Sequence, residues 1–115
     1  MSLSNNLYSL IVSAIPCNVA NFDSCDECFI EEWVVGEHGA FAAIGNTRYG
    51  WGSYEDLNST SHYLGSEFFD AYFNESYTRI GDMLFDSKKD ARWLPDKNGA
   101  GTIRWAMYEQ ILMGS

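Results

Sequence analysis

The chain has 115 residues, 46% of them hydrophobic and 16% aromatic, which excludes a disordered segment and fits one domain burying about two-thirds of its unfolded surface. Seven Lys plus Arg against sixteen Asp plus Glu give a formal charge of -9, which would repel a phosphate backbone, so no nucleic acid partner is expected. Apolar runs such as Leu10 to Ile15 are too short to span a bilayer and no membrane partner is expected.

Leu7 to Ile15 is almost unbroken in its apolar character and is closed by Pro16; this length and β-branched content predict a strand covered on both faces, hence a parallel one. Asn18 to Asp23 reads as a turn. Ser24 followed three residues later by Glu27 predicts a capped helix start. Phe29, Ile30, Trp33 and Val34 then form an apolar stripe, Glu31 and Glu32 point away, and Gly36 ends the helix. Gly39 to Ile44 predicts a second buried strand, so the order strand, helix, strand makes a βαβ crossover and an α/β fold.

Gly45 to Ser53 sets turn chemistry around Tyr49 and Trp51 and predicts a long loop. Helices are expected over Ser61 to Phe73, on Leu64, Phe68, Phe69 and Tyr72, and over Thr78 to Trp93, on Ile80, Met83, Leu84, Ser87 and Ala91. A last helix is expected from about Gly101 to Met113, with Ile103, Ala106, Met107 and Ile111 at similar spacing, and no further strand. Two fully buried parallel strands need neighbours. The expectation is therefore a single partial domain over residues 1–115, its sheet completed by a missing N-terminal half or by a second chain. Exposed strand edges would also permit a dimer.

In an open parallel sheet the ligand site lies beyond the carboxyl ends of the strands. Cys17 and the loop containing Asn46, Thr47, Tyr49 and Trp51 share that position. A cysteine in a turn leading to a helix start would have the helix dipole and backbone amides to favour thiolate and to hold an oxyanion; the bland alternative is a small buried hydrophobe. Cys25 and Cys28 form a C-x-x-C, which admits a redox or zinc reading, but the three cysteines come with no second ligand pair, so no metal is assigned. Asp23, Asp26, Glu27, Glu31 and Glu32 read as a solvated helix face, with calcium as the alternative. No cofactor is expected otherwise.

Pro16-Cys17-Asn18-Val19-Ala20-Asn21-Phe22-Asp23, then Asp26-Glu27-Cys28-Phe29-Ile30-Glu31 and Gly39 through Gly52, resemble the gingipain-type cysteine peptidases. Glu67-Phe68-Phe69, Ile80-Gly81 and Gln110 to Ser115 look like that family's closing helices and tail, so the resemblance covers nearly the whole chain. It implies a caspase-like parallel sheet flanked by helices, a peptide or protein substrate, and hydrolysis by a Cys/His dyad. It also implies an extracellular or cell-envelope location. Cys17 falls on the nucleophile, its amide on the oxyanion hole, and Tyr49 or Trp51 near the primary specificity pocket.

The family's base is a histidine followed by glycine, upstream of the cysteine, and no histidine precedes Cys17. His38-Gly39 lies at the amino end of the second strand, roughly 20 Å from Cys17 at about 3.3 Å per strand residue. His62 opens the next helix. The chain alone is therefore expected to lack catalysis, with its base supplied by a missing upstream segment. The alternative is a non-catalytic α/β module that binds peptide or a partner in the same crevice, with Cys17 inert.

Overall fold

A computed structural model describes residues 9–13, 16–52, 55–56, 60–93 and 101–114. The element order is β1 (Ser9–Ser13), α1 (Phe29–Val35), β2 (Ala40–Asn46), α2 (Thr60–Phe73), α3 (Ile80–Ala91), α4 (Thr102–Glu109) and β3 (Gln110–Gly114). The α/β class expected from the sequence is what is found. The ends of the first expected strand, residues 7–8 and 14–15, lie outside the described residues.

β1 and β2 pair in parallel, with Leu10 opposite Ala42 and Val12 opposite Ile44. β3 corrects the sequence reading. The chain leaves its last helix at Glu109 and adds an antiparallel strand, with Ile44 opposite Leu112 and Asn46 opposite Gln110, so the sheet is mixed in the order β1-β2-β3. Gln110, Leu112 and Met113 are good helix formers, but the free edge of β2 gives their backbone a ladder. Lys88 fixes the junction by donating from Nζ to the Gln110 carbonyl at 2.6 Å.

The period-two pattern of the strands sorts side chains onto two faces. Leu10, Val12 and Ile44 pack against Phe68 and Ala71 of α2 and Met83 and Leu84 of α3. On the other face Ile11, Ala43, Ile111 and Met113 pack with Ala20, Cys28, Ile30 and Val34. A third cluster, Leu64, Ala91, Ile103 and Ala106, joins α2, α3 and α4. Ile30, Ile44, Leu64 and Phe68 are essentially fully buried, and each contributes about 1.5–3 kcal/mol by leaving water.

The helical stripes hold where they face these clusters. Phe29, Phe69 and Tyr72, expected in them, are instead half exposed. The start of α1 also moves, from Ser24 to Cys28, whose backbone N–H donates to Glu31 Oε2 at 2.7 Å. Ser24/Glu27 and Cys28/Glu31 share one spacing, and the second is chosen because it places Ile30 under the sheet. That hydrogen bond holds the Glu31 carboxyl below its ordinary value, and burial pushes the Cys28 thiol up.

Candidate active site

The turn after β1 is laid across the carboxyl end of β2 by a backbone zipper. Asn18 N–H donates to the Arg48 carbonyl at 2.7 Å and Ala20 N–H to the Asn46 carbonyl at 3.0 Å. Asn18 adopts a left-handed conformation, φ 56°, which Asn tolerates better than most residues, and this tightens the turn directly after Cys17. Cys17 is exposed. The residue before it is held from below, since buried Asn46 donates from Nδ2 to the Pro16 carbonyl at 3.3 Å.

Arg48 staples the Cys17 turn to the loop after β2, and the sequence reading assigned it no role. Its guanidinium donates to both Asp23 oxygens, at 3.0 and 2.7 Å, and to Asn21 Oδ1 at 2.9 Å. It thus pins the far limb of the Cys17 turn to the loop after β2. The paired charge holds the Asp23 carboxyl below its ordinary value and raises that of Arg48. Nothing local in the sequence pairs residues this far apart.

Of the loop residues, Thr47 is turned to the scaffold: its N–H and Oγ1 both donate to the Glu109 carbonyl, at 2.9 and 3.0 Å. Tyr49 and Trp51 present exposed rings. Trp51 is tied at both backbone atoms to the start of α2, donating from N–H to Ser61 Oγ at 2.9 Å and accepting from Ser61 N–H at 3.1 Å. The structure therefore places Cys17, Asn46, Thr47, Tyr49 and Trp51 at one end of the sheet, with two side chains serving the framework and three facing outward.

The helix expected to begin at Ser24, after the Cys17 turn, begins later. α1 begins at Phe29 rather than Ser24, and the Ile30 N–H of its first turn donates to the Val19 carbonyl at 3.1 Å. The helix start thus braces the turn through Val19.

A family model described as peptidase family C25 matches residues 1–115. The chain belongs to peptidase family C25. No curated protein and no solved structure matches it. Membership makes this a chain of a cysteine peptidase family, and the C25 chain carries three cysteines to choose among: Cys17 and Cys25 are exposed and Cys28 is buried.

The histidines of the C25 chain are His38 and His62. His38 sits in the turn before β2, at the end of the strand opposite Asn46. It lines an open cavity of about 810 Å³ along α1, with Asp26, Glu31, Trp33 and Glu37 among its neighbours. That cavity is acidic and lies away from Cys17. His62 packs on the loop at Gly52, and its Nδ1 is buried without a hydrogen-bond partner. Of the acidic residues read as a calcium alternative, Asp23 is committed to Arg48 and Glu31 to Cys28.

Proposed function

We propose that this C25 chain carries the nucleophile of a cysteine endopeptidase, Cys17, and that its general base comes from a polypeptide segment other than those described. The observation that carries the reading is the exposed Cys17 in a braced turn at the carboxyl end of the parallel pair, where ligands of open α/β sheets bind. Cys17 Sγ, once deprotonated, attacks the scissile carbonyl carbon. The C–N bond breaks as the amine leaves with a proton from the base, and water then cleaves the thioester to restore the thiol. Tyr49 and Trp51 form aromatic walls for the substrate side chain, while Asn46 and Thr47 hold the loop that bears them. His38 lies at the wrong end of β2 for a dyad, and His62 faces the loop at Gly52.

One observation favours a non-catalytic peptide-binding module instead. The Asn18 amide, next to Cys17, is spent on the Arg48 carbonyl, so it cannot assist the Cys17 amide, to which the oxyanion role was assigned, as a second donor. Iodoacetamide alkylation separates the two readings, because Cys17 and Cys25 are both exposed and exposure alone predicts similar rates. In a polypeptide that also carries the histidine-bearing segment, Cys17 is expected to react at least about tenfold faster than Cys25. The advantage should shrink in this chain alone. Equal rates in both would leave a binding module with an inert cysteine.

A further inference from the structure

Outside the crevice, the connection from α2 to α3 is fastened to α3 through side chains that cannot all be charged at once. Asp86 and Asp90 lie one helical turn apart on α3 and therefore on one face. Glu75, from the connection, brings a carboxyl oxygen to within 4.8 Å of an oxygen of each. Asp86 is 2% exposed, whereas Glu75 is on the surface. Asp86 Oδ1 accepts from Lys89 Nζ at 3.0 Å, and the Asp86 carboxylate is also hydrogen-bonded with Glu75 and Tyr77. Two ionised carboxylates both accept and neither donates. The bond between Glu75 and Asp86 therefore contains a proton, carried by Glu75 and donated to the buried Asp86.

The neighbours favour that proton. Asp90 of α3 and Asp70 of α2 add negative charge around Glu75; Glu67 of α2, with Tyr63 bonded to it, faces the same α3 carboxylates. Lys89 is committed to Asp86. The bond to Asp86, then burial and these charges, raise the Glu75 carboxyl from 4.5 to about 7, and the same bond holds Asp86 below its ordinary value. The segment so fastened is sharply bent. Ser76 is left-handed, φ 64°, a conformation that a residue with a side chain keeps only where its surroundings impose it. Asn74 N–H donates to the Asp70 carbonyl and Tyr77 N–H to the Ala71 carbonyl, each at 2.9 Å. Tyr77 and Ile80 then lie against the cluster of Ile44, Phe68, Met83 and Leu84.

We propose that Glu75 and Asp86 form a proton-closed latch: one shared proton fastens the α2–α3 connection to α3, and its loss releases the connection and loosens Tyr77 over the cluster beneath it. Once ionised, Glu75 is repelled by Asp86, Asp90 and Asp70 and turns to water. Because the closed latch titrates above the ordinary carboxyl value, closure is strongest below about pH 4.5, weakens as pH rises to about 7, and is level above it. The latch is independent of the reading of Cys17.

The test is hydrogen exchange of the Tyr77 amide in the whole chain at pH 6 and pH 8.5, at constant ionic strength, with each rate divided by that of an unstructured peptide at the same pH. Protection is expected to fall about tenfold between the two, the ratio set by a carboxyl that titrates at 4.5 when released and about 7 when latched. Glu109→Gln is included in every sample, so that the other carboxyl raised to about 7 does not contribute. Glu75→Gln keeps a donor for Asp86 that cannot ionise, and should hold Tyr77 protection level across the range. Glu75→Ala has no donor, and should leave protection low and equally level. Glu75 is exposed, so both variants are expected to fold, and unchanged exchange within Ala40–Asn46 verifies it. Tyr77 protection that stays constant with pH in the parent, or that falls as steeply in Glu75→Gln, would overturn the proposal.

Discussion

Glu109 ends α4 and is 4% exposed, yet neither of its carboxylate oxygens has a well-formed hydrogen bond. Burial pushes its carboxyl from the ordinary 4.5 up to about 7, an effect that Trp105 nearby only partly offsets. Because the folded value exceeds the unfolded one, the folded chain keeps a proton that the unfolded chain releases. Stability from this group is therefore complete below about pH 4.5, falls as pH rises to about 7, and is level above it. Glu109→Gln removes the charge while keeping the shape. In denaturant unfolding it should gain about 1–3 kcal/mol over the parent at pH 8 and little at pH 5. The backbone carbonyl of Glu109 holds both donors of Thr47, so the same residue anchors the loop that carries Tyr49 and Trp51. An identical slope of stability with pH in the variant would remove Glu109 as the cause.

At the scale of elements, the junction between α1 and β2 depends on one missing side chain. A Cβ at Gly39 would lie 1.9 Å from the Trp33 carbonyl oxygen, and backbone cannot yield as a flexible side chain can. Gly39→Ala should therefore destabilise by about 3 kcal/mol or more, the upper end for overpacking. Gly81, in the first turn of α3, has nothing within 4 Å of such a Cβ. Gly81→Ala should stabilise by about 0.5–1 kcal/mol, since it only narrows the unfolded ensemble. Chemical denaturation of the two variants side by side checks both signs. These elements were legible to different degrees for physical reasons. The stripe on α3 was readable because Met83, Leu84, Ser87 and Ala91 all meet the packed interior, and burial is what a period of 3.6 reports. The start of α1 was ambiguous because two capping patterns follow one another. β3 was invisible because Gln110 to Met113 owe their conformation to the edge of β2, a partner distant in sequence. The site divides likewise: Cys17 and its facing loop could be located from where two apolar runs end. The Arg48–Asp23 pair and the Thr47–Glu109 tie are long-range contacts that no local pattern encodes.

Across the whole molecule, β2 is the axis. Its Ala43 and Ile44 enter the clusters on opposite faces, and it is hydrogen-bonded on both sides, to β1 and to β3. β1 and β3 each have one neighbour in the described sheet, which leaves an outer row of backbone groups that another strand can pair. A sheet built this way should open from its edges inward, so protection should follow position in the sheet rather than side-chain hydrophobicity. Hydrogen exchange at low concentration is expected to show the slowest amides within Ala40–Asn46 and markedly faster ones within Ser9–Ser13, although Leu10, Ile11 and Val12 are as apolar as the residues of β2. The expected need of the β1 edge for a neighbour gives this measurement a second use. If protection of Ser9–Ser13 rises with chain concentration, a second copy covers the edge. If it rises only on adding a histidine-bearing segment of the kind proposed above, such a segment completes the sheet. Equal protection of β1 and β2 in the dilute chain would mean that the edge is already covered, and that sheet completion is not what the Cys17 crevice awaits.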